Sequence, residues 1–343
     1  MIRALVVLVL FVPSLAHAQA SVDVTLSADG KTAAAALGYS EADFATQIKN
    51  KVDDAYQTNN VNGFLRSFTD ATGFSQRGLG VDYVSVPNSF IIGIAANAAV
   101  ATDSVVTSGN RPTSGGAAVN FGAMIGSNLA GLDLPRWTLY ANGFYQSAST
   151  DRLTGTLLSA GAHAQLKLIQ AEEGGGTASL VRWIGVDVTG GIEYTRWALG
   201  ANDGGITNNF DVGAAAGGTG SETLTLLSKG TFDLKTNAVT VPVEVTTGLR
   251  IALIASVFIG AGIDFTVGKT TVNGNLTGDM TDSNGRDIGT VKITATGDNS
   301  ASPAAGRVLA GVQLNLWKLK VFVQANVSQT PAASIAAGIR LVL

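Results

Sequence analysis

Apolar side chains recur at every second position through most of this chain. Val257, Ile259, Ala261, Ile263, Phe265 and Val267 share one side of a stretch, and Phe258, Gly260, Gly262, Asp264, Thr266 and Gly268 share the other. A period of two is the pattern of a β-strand with one apolar face and one small or polar face. A soluble sandwich produces the same alternation, so its meaning depends on how often it recurs.

It recurs almost to the last residue. Comparable stretches occupy 92–100, 118–127, 137–145, 152–168, 181–197, 222–234, 238–249, 308–316, 319–327 and 335–343. Leu79, Val81 and Tyr83 also alternate with Gly80, Asp82 and Val84, which predicts a first strand there. Residues 200–221 and 275–302 read as polar loops, the second with a hairpin arm at 289–297. Such spacing predicts roughly 12 antiparallel strands. No helical pattern long enough to cover a sheet follows residue 70, which argues against a βαβ fold.

The chain is 46% hydrophobic, yet beyond its N-terminus no stretch approaches the roughly 20 consecutive apolar residues of a spanning helix. Apolar residues on alternate positions can instead face lipid. A sheet facing lipid must close on itself, because hydrocarbon offers no partner to a free backbone N–H or C=O. The expected fold is therefore all-β: a closed antiparallel transmembrane β-barrel. The opposite register supplies candidates for its lumen: His163, Asp187, Glu193, Asp264, Gln313, Gln324, Asn326 and Arg340.

The N-terminus reads as an export signal over residues 1–20. Arg3 gives a positive start, Ala4 to Val12 an apolar run, and Ala16, Ala18 and Ala20 small-residue exits that place cleavage after Ala18 or Ala20. Residues 21–76 form a separate segment before the barrel at 77–343. Ser40 and Asp43 resemble a capping box. Behind it Phe44, Ile48, Val52 and Tyr56 recur at helical spacing, and Phe64 and Phe68 belong to a second short helix. Standing before the first strand, these six apolar residues are candidates for a plug or lid.

Little here supports chemistry. The chain has no Cys and only His17 and His163, the first inside the signal. No thiolate or multi-histidine metal centre can form, and no cofactor is implied. Ser159 and His163 lie four apart on one strand, about 13 Å, too far for a nucleophile and base. Gly174-Gly175-Gly176 lacks the Lys-Ser/Thr of a phosphate loop. Asp279, Asp282 and Asp287 have no metal-loop spacing. With a formal charge of −3, a nucleic-acid partner is not expected.

The signal at 1–20 and the final strand Ser334-Ile335-Ala336-Ala337-Gly338-Ile339-Arg340-Leu341-Val342-Leu343 resemble those of Gram-negative outer-membrane β-barrel proteins, porin-like in general pattern. The chain ends on Leu343 where that class usually carries an aromatic residue. The resemblance implies an outer-membrane location, contact with membrane lipid or lipopolysaccharide, and recognition of the last strand by barrel-insertion machinery. Trp137, Trp183, Trp197 and Trp317 fall near strand ends, as interfacial girdles require. The function expected is a passive channel for small polar solutes, with no enzymatic step. The alternative is a non-conducting barrel serving structure, surface contact or lipid organisation. Small outward residues (Ala96, Ala98, Ala160, Ala162, Ala164 and Ala337) suggest a homo-oligomer.

Overall fold

The computed structural model describes residues 19–56, 61–85, 90–102, 115–171, 180–202, 206–216, 220–252 and 254–343. Strand β1 (Gln19–Leu26) comes first, then helices α1 (Ala28–Ala36), α2 (Glu41–Tyr56) and α3 (Val61–Phe74). Twelve further strands follow: β2 (Phe90–Thr102), β3 (Gly115–Leu129), β4 (Leu134–Ser149), β5 (Leu153–Ile169), β6 (Val181–Asn202) and β7 (Ile206–Gly213). The remainder are β8 (Ser221–Ile251), β9 (Ala255–Asp282), β10 (Asp287–Ser300), β11 (Ala304–Leu316), β12 (Leu319–Ser328) and β13 (Ala332–Val342).

All 13 strands belong to one antiparallel sheet. β13 pairs with β2, and β8 with β9, so the ladder returns on itself. Outside that ring lie β1, β7 and β10; the other ten strands compose it. The roughly 12 strands expected from sequence are close to the 13 of the sheet, but only ten compose the ring, because stretches such as 222–234 and 289–297 share its alternation and belong to the projecting part.

Polarity reverses between the two sides of the ring wall. Val239, Val241, Val243 and Val245 of β8 and Ile259, Ile263, Phe265 and Val267 of β9 are exposed on the outside. Thr240, Glu244, Thr246, Asp264 and Thr270 are buried on the inside. The apolar band stops on one rung. Val239 pairs with Val267, and the next outward rung brings Asn237 opposite both Lys269 and Arg196.

β8 and β9 continue past that rung, being 31 and 28 residues long. The stretches 222–234 and 238–249, expected as two strands, are one, because only the outer face changes between them. Leu234, Thr236 and Ala238 stay buried on the other face and the ladder is unbroken. The projecting halves pair with β7 and β10, and β10 with β1. This open sheet carries α1 and α2 on its apolar face. Val22, Ala33, Leu37, Phe44, Ile48, Val52, Leu224, Leu226, Met280, Ile288 and Ile293 form one core there. β7 therefore lies within residues 200–221, expected as a polar loop, and most of β1 within the 21–76 segment, where only helices were expected.

Local chemistry fixes both helix starts. Ser27 Oγ accepts from Gly30 N at 3.0 Å and caps α1. Ser40 Oγ accepts from Asp43 N at 3.1 Å and donates to Asp43 Oδ2 at 2.7 Å, which is the expected cap of α2. α3 differs from both: it sits inside the ring.

Candidate functional site: the filled interior of the ring

α3 enters from the layered end. Leu65 and Phe68 meet Leu234 and Val272, with Trp197 edge-on to Phe68 at 6.4 Å between centroids. One turn further, Ala71 and Phe74 pack on Ala99, Ala101, Ala118 and Ala332 of β2, β3 and β13. Small inner residues leave the width a helix needs. A Cβ on Gly116 would stand 2.3 Å from Phe68 N.

Beyond Phe74 the chain continues as turns, every residue from 75 to 85 buried. Leu79 packs with Ala95, Phe322 and Ala336. Val81, Tyr83 and Val84 reach Ile91, Met124, Tyr140, Phe258 and Leu309 near the opposite end. The period of two at 79–84, expected to mark a strand, is not a ladder. It arises because successive side chains meet opposite walls: Gly80 lies against Asn142 and His163.

Ionic groups lock this thread in place. Arg77 is hydrogen-bonded to Glu193 of β6 and, at 3.3 Å, to Asp264 of β9. Arg307 of β11 bonds Asp264 through Nε at 3.0 and 3.1 Å and also bonds Glu244 of β8. Two guanidinium groups thus meet three carboxylates, each side chain no more than 6% exposed. Burying such ions is tolerable only with close pairing and satisfied hydrogen bonds, and removing one partner typically costs about 3–5 kcal/mol.

A second set lies toward the far end. Asp82 accepts from Val84 N and Ser85 N at 2.9 and 3.0 Å and stands 3.5 Å from Arg340 Nη1. Arg340 also donates to Val81 O at 2.6 Å and lies over the Phe322 ring at 3.6 Å. Tyr140 donates to Gln165 at 2.9 Å, and Gln165 donates to Asp82 O at 3.2 Å.

All eight residues expected at a lumen are buried on the inside. His163 Nε2 is 3.6 Å from Glu193, and a Cβ on Gly80 or Gly191 would collide with its ring. Asp187 pairs with Lys167 at 3.1 Å. Gln313 donates to Ser85 at 3.0 Å, Gln324 to Asn326 at 2.9 Å, and Asn326 to Ser334 at 3.1 Å. A cavity beside Asp70, Thr240, Asp264 and Ser302 holds about 20 Å³, room for one water and no solute.

The plug candidates separate. Phe64 and Phe68 lie on α3 at the ring mouth. Phe44, Ile48 and Val52 belong to the outer layer instead, because their stripe faces the projecting sheet. The side chain of Tyr56 lies outside the described residues. Of the four tryptophans, Trp137, Trp183 and Trp317 are outward at one end, while Trp197 faces inward. Arg77, Asp82, Glu244 and Arg307 were absent from the expected set. Parity alone marks Glu244 and Arg307 as inner residues; nothing local marks Arg77 or Asp82, which sit on no strand.

In solved structures the chain is similar to outer-membrane proteins. The outer membrane protease OmpT of Escherichia coli aligns at 9% identity and TM-score 0.38, covering 75% of this chain and 97% of its own. The translocator domain of the autotransporter NalP of Neisseria meningitidis aligns at 10% and 0.31, covering 86% and 98%. A Pseudomonas aeruginosa FadL homologue aligns at 7% and 0.25, covering 82% and 99%. No curated protein matches. A family model described as Lsa36-like matches residues 16–343.

Proposed function

The chain belongs to the Lsa36-like family, and on that premise we propose a non-conducting outer-membrane barrel that displays its layered end at the cell surface. The match extends over the outer layer and the ring together, which supports reading them as one working unit. Lipid is the natural cover for the outer wall. Ile94, Ile259 and Val308 are 64%, 60% and 60% exposed, in a continuous apolar band. Soluble monomers rarely expose patches beyond about 300–600 Å².

We assign sidedness from the layer, the largest excursion from the ring. At the tryptophan end β8 stops at Ile251 and β9 begins at Ala255, and β11 joins β12 over 317–318. The opposite end carries the layer. Short turns belong to the periplasmic side of such barrels and long excursions to the outside. The layer then presents Thr223, Thr225, Thr231, Asn273, Asn275, Thr277, Thr290 and Lys292 to the exterior, a hydrated face suited to surface contact. Membrane lipid or lipopolysaccharide surrounds the band in this reading, and insertion machinery acts on β13. Ala96 and Ala337 pair across β2 and β13 on the outer face, where a second copy could pack.

The observation that carries the proposal is Arg77, held from inside by Glu193 and Asp264 on different strands. A passive channel needs water along that axis. It stays the second reading, because α3 rests on Gly116, Ala99 and Ala118, a smooth wall from which it could withdraw. Purified full-length protein in a planar bilayer tests the choice: silence is expected, and steady single-channel steps from the unaltered chain would overturn the proposal.

A further inference from the structure

Four basic side chains gather at the tryptophan-end mouth, and none takes part in the network that fills the ring. Arg182 of β6 lies directly opposite Arg250 of β8. Lys320 of β12 lies opposite Arg340, in the inward register, and feels the charge of Arg250. Arg136 of β4 shares the register of the inner residues Thr138, Tyr140 and Asn142.

Like charges placed directly opposite on an antiparallel pair repel and destabilise it. Lys320 Nζ donates to Trp317 O at 2.5 Å, but the two cross-strand arginines have no such contact among the described residues. Among the described residues neither Arg182 nor Arg250 has a salt-bridge partner, and Arg250 Nε is buried without a hydrogen-bond acceptor. Asp82 is the carboxylate that acts on both Arg250 and Lys320, but Arg340 and two backbone amides engage its Oδ1, and its buried Oδ2 makes no hydrogen bond to either cation. Glu172 and Glu173, in the connection before β6, lie outside the described residues. The arrangement is a set of basic residues on the rim of one mouth, which concentrates anions, with Arg182 and Arg250 as direct cross-strand neighbours.

We propose that this mouth is a binding site for a phosphate-bearing anion, held between Arg182 and Arg250 with Lys320 as a third contact. Guanidinium forks match phosphate oxygens two at a time, and one anion between them turns the repulsive pair into a bridge. The phosphate could belong to a soluble compound or to a phospholipid headgroup of the adjoining leaflet. The site stands whether or not the ring conducts, since it uses neither α3 nor Arg77.

The test uses full-length protein in a phospholipid-free non-ionic detergent, with inorganic pyrophosphate titrated by calorimetry. Binding is expected, weakened about tenfold in Arg182→Gln or Arg250→Gln, the loss of one charge-assisted contact. Lys269→Gln, at the other end, leaves it unchanged. A thermal-melting signature separates the site from a merely structural role. Without anion, Arg182→Gln melts higher than the unaltered protein because repulsion is relieved; with saturating pyrophosphate the order reverses.

Native mass spectrometry after exposure to phosphatidylglycerol distinguishes the sources. Retention of lipid by the unaltered protein and its loss from the double Arg182→Gln/Arg250→Gln variant assigns the site to a headgroup. Pyrophosphate binding without lipid retention assigns it to a soluble phosphate. No binding of either, or binding indifferent to the double substitution, overturns the proposal.

Discussion

Gly116 on β3 lies so close to Phe68 on α3 that a side chain at Gly116 would displace the helix backbone, with 2.3 Å to Phe68 N and 2.4 Å to its Cα. Neither neighbour is a flexible side-chain end. Replacing Gly116 with Leu should therefore push α3 off the inner wall while leaving the outer face of β3 unaltered. Current steps in a planar bilayer, absent from the unaltered protein, are the expected result. A variant that inserts normally and stays silent would show that the seal does not depend on α3.

Arg77→Ala leaves Arg307 to neutralise Glu193, Glu244 and Asp264 by itself. Removing one partner from such a network should destabilise the filled ring by about 3–5 kcal/mol. Melting followed by gel mobility of the unheated protein measures it. Arg77→Lys should recover part of the loss, because an ammonium keeps the charge without the fork that spans two carboxylates.

Phe44→Ala addresses the layer alone. Phe44 is fully buried in the core between α2 and the projecting sheet, and emptying such a site costs about 3–5 kcal/mol. Faster amide exchange and protease cleavage in α2 are expected, with the ring's mobility on gels unchanged. Equal weakening of both would mean that layer and ring melt as one.

The turn after β9 should respond to acid. Asp282 Oδ1 accepts from Asn284 N at 2.9 Å and Arg286 N at 2.8 Å, and Oδ2 from Arg286 Nε at 2.5 Å. Removal from water pushes the carboxyl up, but these hydrogen bonds and the Arg286 charge outweigh it and hold its pKa below 3.8. A depressed carboxylate stabilises the fold above its unfolded pKa and loses that contribution as pH falls through the folded value. Amide protection at 283–289 should thus persist through about pH 4 and fall below it. Asp282→Asn should flatten that profile.

Trp137, Trp183 and Trp317 should be quenched by lipids brominated in the leaflet at their own end, since all three face outward there. Trp197, inside against Phe68, should not respond. Single-tryptophan variants read by steady-state fluorescence decide this; quenching of Trp197 would place the wall the other way round.

The ring was legible in the sequence because its requirement is simple. A strand that separates lipid from a packed interior must alternate, and Ile259 to Val267 do so without exception. Inner residues such as Asp264 and Gln324 followed by parity. The location of α2 was not legible, because Phe44, Ile48 and Val52 form the same stripe whether they face a lumen or a projecting sheet. The thread at 79–84 misled for a related reason: alternation reports two different environments, and opposite walls of a ring supply them as well as the two faces of a ladder. Arg77 has no periodic context, and its partners lie 116 and 187 residues away.

The route of residues 61–85 constrains how the molecule can be made. β1, α1 and α2 finish on one side of the ring, while β2 starts from the other, so a single polypeptide strand passes through a closed hoop. A folded sheet with two helices is wider than the hoop, which can admit one helix. Two orders of construction satisfy this: either the hoop closes first and residues 19–56 pass through it unfolded, or the last strand pair closes around residues 61–85 and the layer needs no passage.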